Sequence, residues 1–133
     1  MAQRIKDWLR QAEKDLSHAK NSLKEKDYEW SCFASQQAAE KALKAVYEKK
    51  NLSVKGNYII GILEGLNKLN FYFPKEFYKY ARILSRYYIE TRYPNSFPEG
   101  APSDYFDKDM AEEAINASEK IFKWCRDTIS RYK

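Results

Sequence analysis

The stretch from Tyr28 to Lys50, YEWSCFASQQAAEKALKAVYEKK, decides the fold. It holds no Gly or Pro and is rich in strong helix formers, above all in its centre, Gln36 to Ala45. Two adjacent stripes run along the predicted helix. One carries Cys32, Gln36, Ala39, Leu43 and Val46. The other carries Phe33, Gln37, Glu40, Lys44 and Tyr47, and so sets three polar side chains beside the apolar face, between two aromatics. Asp27 stands at the N-cap position, a place that favours its side chain.

Helical spacing continues on both sides. Upstream, Ile5, Trp8, Leu9, Ala12, Leu16, Ala19 and Leu23 recur at steps of three and four, the stripe of an amphipathic helix. Downstream, a loop with Gly56 leads to a shorter helix marked by Tyr58, Ile59, Ile62, Leu63, Leu66 and Leu69. Gly61 and Gly65 weaken it by about 1 kcal/mol each relative to Ala, and their spacing allows close approach by a neighbouring helix. Pro74 suits the first turn of a fourth helix, which carries Phe77, Tyr80, Ala81, Leu84, Tyr87 and Tyr88. The pattern stops from Glu90 to Phe106, where Pro94, Pro98, Gly100 and Pro102 cluster. Asp107 can start the last helix, whose stripe is Ala111, Ala114, Ile115, Ser118, Ile121, Phe122, Cys125 and Ile129. The predicted fold is all-α: an antiparallel up-and-down bundle of four long helices plus one shorter helix, a single domain over residues 1–133.

Composition agrees. The 133 residues are 44% hydrophobic and 16% aromatic, which excludes disorder as the main state, and four Gly with four Pro are too few for a many-stranded β fold. So aromatic a surface also suggests burial between subunits. No apolar run is long enough to span a membrane, and Met1 to Arg10 lacks the core of a secretory signal. Cys32 and Cys125 match neither a disulfide framework nor a metal site and read as core residues, and one His, His18, leaves zinc short of ligands. The expectation is a reduced, cytoplasmic protein without metal or cofactor. The net charge of +5 suits an acidic partner such as RNA or a nucleotide, and a solvated surface accounts for it equally well.

Two sets of residues can carry chemistry. Arg92, Tyr93 and Asn95 lie where a tyrosine-rich helix meets a proline-locked segment. An Arg there can fork onto phosphate, and Tyr93, restricted by Pro94, can stack on a base. The competing reading has Arg92 capping its helix and pairing with a carboxylate, and local sequence alone favours it. Gln37, Glu40 and Lys44 form one line on the second helix and can meet a ligand or partner, or simply form an i,i+4 pair with Gln37 at an interface edge.

The opening Trp8-Leu9, Ala12, Asp15-Leu16 and Ala19 lead into Tyr28, Ser31-Cys32-Phe33, Gln36-Gln37-Ala38-Ala39-Glu40-Lys41 and Lys44, with Thr91-Arg92-Tyr93-Pro94 late in the chain. This pattern resembles the HEPN domain family over nearly the whole sequence. The resemblance implies a helical bundle that commonly dimerises, often encoded with a minimal nucleotidyltransferase as a toxin–antitoxin-like pair. Many members of the wider superfamily are metal-independent ribonucleases with an Arg followed, after four to six residues, by a His. Here those positions hold Phe97, Pro98 and Glu99. Losing a positioned acid/base costs about 10²–10⁴ in rate. The leading expectation is therefore a non-enzymatic homodimeric module that binds nucleotide, RNA or a nucleotidyltransferase partner, with Arg92 on phosphate, Tyr93 stacking, and Gln37, Glu40 and Lys44 lining the adjacent groove. The alternatives are an endoribonuclease toxin with a departed active site and a structural dimer without ligand.

Overall fold

The computed structural model describes residues 4–131. Five helices form the fold: α1 (Ile5–Lys24), α2 (Tyr28–Lys49), α3 (Ile59–Lys68), α4 (Glu76–Ser85) and α5 (Lys108–Arg131), with no strand among the described residues. The all-α bundle of five helices read from the sequence is the observed fold, with the fourth helix shorter than expected, ten residues like α3. α4 tightens into a 3₁₀ turn over Arg86–Tyr88, and two further 3₁₀ turns, Pro94–Ser96 and Pro102–Asp104, give shape to the proline-rich segment.

α2 is the centre of the bundle and packs between α1 and α5. It can do so because its two buried faces are made of small side chains. Ser31, Ala34, Ser35, Ala38, Ala39, Ala42 and Ala45 are all buried, and so are Ala12 and Ala19 of α1 and Ala111, Ala114 and Ala117 of α5. Such residues let helix backbones approach closely. The serines then bond to the main chain: Ser31 Oγ donates to the Ala19 carbonyl (2.7 Å), and Ser118 Oγ to the Ser35 carbonyl (2.6 Å). Larger apolar groups, Leu43, Val46, Ile59, Leu63, Leu66, Leu84 and Ile121, fill the wider space toward α3 and α4.

Helix ends follow local chemistry. α1, α2 and α3 each close through a left-handed residue, Lys26 (φ 66°), Asn51 (φ 60°) and Asn70 (φ 67°). At each, two backbone N–H groups fold back onto the last turn, as in Asp27 N–H to the Ser22 carbonyl (2.8 Å) and Lys26 N–H to the Leu23 carbonyl (3.1 Å). Asp27 occupies the N-cap of α2, but its side chain makes no capping bond. Asp107 does cap α5, its Oδ1 accepting from Met110 N–H (2.9 Å). Pro74 lies just before α4 rather than in its first turn, and its carbonyl accepts from Phe77 N–H (3.0 Å).

Both cysteines are buried and unbridged. Burial, with Asp107 and Glu29 adding to it, pushes the Cys32 thiol up to about 12, and burial holds Cys125 well above its ordinary value. The Tyr87 phenol is likewise pushed up to about 12, mainly by burial. The folded chain therefore keeps protons that an unfolded thiol releases near pH ~8.5, so these groups contribute stability below that value and lose it as pH rises toward ~12. Urea midpoints should fall between about pH 8 and about pH 11, and Cys32→Ala should flatten the fall; a flat wild-type profile would contradict this burial.

Candidate functional site

The sequence from Tyr87 to Pro94 ends α4 and its 3₁₀ turn with two side chains folded back onto the main chain. Buried Thr91 donates through Oγ1 to the Tyr87 carbonyl (2.6 Å). Arg92 donates through both Nε (2.8 Å) and one Nη (2.5 Å) to the Tyr88 carbonyl. Arg92 thus does cap its own helix end, where a cation also complements the helix dipole. It has no carboxylate partner, for no ion pair among the described residues includes it.

Three aromatic rings surround the guanidinium. Its carbon lies 4.5 Å from the ring centre of Phe33, 4.7 Å from Tyr88 and 5.1 Å from Tyr93. Phe33 in turn meets Trp30 edge-on at 6.1 Å and Tyr88 at 6.2 Å. Such cation–π contacts each stabilise by roughly 0.5–1 kcal/mol where exposed and by more where dry. Tyr93 is extended (φ −123°, ψ 125°), the conformation Pro94 imposes on the residue before it, and its ring stays half-exposed. The result is a half-buried guanidinium, fixed on one edge and boxed by rings. One Nη is engaged by the Tyr88 carbonyl, and the N–H groups not used there can donate to an oxyanion.

The polar line of α2 forms a connected network. Lys41 Nζ reaches Asp15 Oδ2 (2.6 Å) and Gln37 Oε1 (3.4 Å). Gln37 Nε2 donates to Gln36 Oε1 (2.7 Å), and fully buried Gln36 donates to Glu40 Oε1 (3.2 Å) and to the Asn57 carbonyl (3.2 Å). Glu40 Oε2 accepts from Lys44 Nζ (2.8 Å), which lies 5.7 Å over the Trp8 ring. Glu40 and Lys44 are 12% and 14% exposed, so this pair is nearly dry. The network ties α2 to α1 and to the loop before α3.

Phe33 stands between the two candidate sets. Arg92 packs on Phe33, which precedes Gln37 by one helical turn, while Glu40 lies about 10 Å further along the axis. Asn95 is exposed on the turn Pro94–Ser96. Sequence reading missed Tyr88 as part of the box and Gln36 as the hub of the network; Tyr88 sits four residues before Arg92, the spacing at which helical neighbours touch. Phe97, at the first position where a ribonuclease of the wider superfamily would carry His, stacks on Tyr105 (centroids 4.0 Å) and meets Phe106 edge-on. Tyr105 in turn donates its hydroxyl to the Glu99 carbonyl.

The comparisons with known proteins agree with this fold. No curated protein matches the chain. A crystal structure of a protein from Thermus thermophilus superposes with a TM-score of 0.91 at 37% identity, covering 95% of this chain and 98% of the other. An archaeal HEPN homologue gives 0.81 at 34% identity, covering 96% and 99%. A HEPN domain protein from Thermotoga maritima gives 0.76 at 34%, covering 94% and 98%. The HEPN domain profile matches residues 5–128, nearly the length of the bundle, and the chain belongs to the HEPN domain family.

Proposed function

We propose that this HEPN domain protein is a non-enzymatic binding module that takes the phosphate of a nucleotide or of RNA on Arg92. The carrying observation is a guanidinium fixed by the Tyr88 carbonyl and three rings yet paired with no carboxylate among the described residues. Such a group has already lost its rotamer freedom, so an oxyanion gains the charge-assisted bonds at little further entropic cost. Tyr93, half-exposed beside it, offers a ring face to the base. Asn95 stands on the next turn as a further polar contact, and Gln37 lies one helical turn along α2 from Phe33, on which Arg92 packs.

The domain works as a homodimer in this reading. Trp30, Ile89 and Tyr93 are large, exposed and gathered about the Arg92 end of the bundle, which supports burial against a second copy. A minimal nucleotidyltransferase is the proposed protein partner. The stacked Phe97 in place of a His favours binding over RNA cleavage.

Binding of a labelled oligoribonucleotide and of mononucleotides tests the proposal. Arg92→Ala should weaken binding at the Arg92 site by about tenfold or more, since hydrogen bonds to a charged group contribute about 1.5–3 kcal/mol. The same change should lower the salt slope for the single strand by about 0.7, one phosphate contact. Arg92→Ala binding every ligand and partner with wild-type affinity and salt dependence would refute the assignment.

A further inference from the structure

α4 carries a charge pattern that its packing does not use. Phe77, Ala81 and Leu84 are buried and define its inward face. Lys75, Lys79, Arg82 and Arg86 follow at steps of four, three and four, which puts them in one row on the opposite face. Lys75 (φ −57°, ψ −33°) and Arg86 (φ −66°, ψ −25°) flank the helix with helical backbone, so the row keeps its line from end to end, over about 16 Å. All four residues are exposed. Among the described residues no ion pair includes Lys75, Lys79 or Arg82, and Arg86 reaches only Glu90, at 4.0 Å. Glu76, the one acid within α4, lies off the row and lines a groove against α5 with Lys120 and Lys123.

The row works against the helix that carries it. Like charges three and four residues apart repel, and Lys75 and Lys79 stand at the helix start, where a cation opposes the dipole. The exposed face of α1 shows the ordinary arrangement, with Lys6, Arg10 and Lys14 set among Asp7 and Glu13. Charge complementarity therefore calls for an anion from outside the chain. Its form follows from what the face lacks. No large apolar side chain between Pro74 and Tyr88 is among the exposed ones, whereas a protein interface has an apolar core and is poor in Lys. A single row of cations suits one backbone on which charge repeats. Phosphates recur at about 3.4 Å along a stacked strand, so about four or five lie within reach of the row. Arg86 closes it two residues before Tyr88, whose carbonyl holds Arg92, so the row ends at the Arg92 end of α4.

We infer that the outward face of α4 is a docking surface for the sugar–phosphate backbone of single-stranded RNA, with Lys75, Lys79, Arg82 and Arg86 on successive phosphates. It goes beyond the Arg92 reading and stands without it. A fluorescein-labelled uridine dodecamer is titrated by anisotropy against the wild type and the triple variant Lys75→Gln/Lys79→Gln/Arg82→Gln, each with and without Arg92→Ala. The triple variant should weaken binding by about tenfold or more at about 50 mM salt and lower the salt slope by about 2, three contacts at about 0.7 each, in both backgrounds. Lys75→Arg/Lys79→Arg/Arg82→Lys, which keeps the charge, should stay within about twofold. Lys6→Gln/Arg10→Gln/Lys14→Gln removes the same charge from α1 and should cost clearly less. The urea midpoint of the α4 triple variant should equal or exceed that of the wild type, because repulsion is relieved. Wild-type affinity and salt slope in the α4 triple variant overturn the surface and leave the Arg92 reading untouched. So does an equal loss in the α1 variant, which would assign the effect to overall charge, and so does a lowered urea midpoint, which would assign the cations to the fold. A twelve-residue polyaspartate that binds as tightly as the dodecamer, with the same loss in the α4 triple variant, overturns it in favour of an acidic protein. No dodecamer binding to the wild type overturns it as well. Wild-type dodecamer affinity for Arg92→Ala, with the α4 loss intact, supports the surface and counts against Arg92.

Discussion

Glu40→Ala should destabilise the folded chain by about 2–3 kcal/mol, somewhat less than the about 3–5 kcal/mol of a fully buried pair broken on one side. The substitution removes the carboxylate from the Lys44 ammonium, which is 14% exposed and lies 5.7 Å over the Trp8 ring. It also takes away one of the two acceptors of buried Gln36. Most of this loss comes from the orphaned charge rather than from the missing bond. Lys44→Met in the Glu40→Ala background should therefore recover at least half of it, because a methionine at that position carries no charge to desolvate. Urea unfolding of the wild type, Glu40→Ala, Lys44→Met and the double variant measures the coupling. Additive losses would show that the pair is wet and energetically idle, as ordinary surface ion pairs are. This experiment also separates the roles of the α2 line. A purely structural pair changes stability, whereas a ligand contact changes affinity at unchanged stability.

Gly65→Ala carries a prediction of sign. In an open helix the change gains about 0.8–1.0 kcal/mol from helix propensity alone. Here an added Cβ would overlap the Tyr47 hydroxyl oxygen and come within 3.3 Å of the ring carbon that bears it. The hydroxyl cannot turn aside cheaply, because Tyr47 is buried and donates to the Ile62 carbonyl on the same helix (2.7 Å). We expect a net loss of about 1–3 kcal/mol, the usual cost of overpacking. Tyr47→Phe removes the clashing oxygen, so Gly65→Ala should cost much less in that background, even though Tyr47→Phe alone sacrifices a hydrogen bond of about 1 kcal/mol. A more stable Gly65→Ala chain would mean that α3 stands off from α2.

These contacts mark how far the sequence could be read. α1 was legible because only one face is buried: Ala12, Leu16 and Ala19 fall on the periodic stripe, and all three are in the core. α2 was legible as a helix, but not in its partition, because it is covered on two sides and its period blurs. Ser31, Ser35 and Gln36 therefore look polar in the sequence although all are fully buried. The pairing of Gly65 with Tyr47 was visible only as spacing, since the partner sits eighteen residues away, on another helix. At the candidate site the cap that Arg92 makes on its own helix end and the extended Tyr93 before Pro94 followed from local chemistry. The aromatic box did not, because Phe33 reaches Arg92 only through tertiary packing.

The hydroxyl bonds from Ser31 to α1 and from Ser118 to α2 cross the three longest helices at nearly one level, one turn of α2 apart. Sliding any of these rods along its axis would tear a dry bond without a water to replace it. The trunk of the molecule is therefore a latch rather than a piston. Any rearrangement that accompanies recognition is left to the two ten-residue helices and the connectors around them.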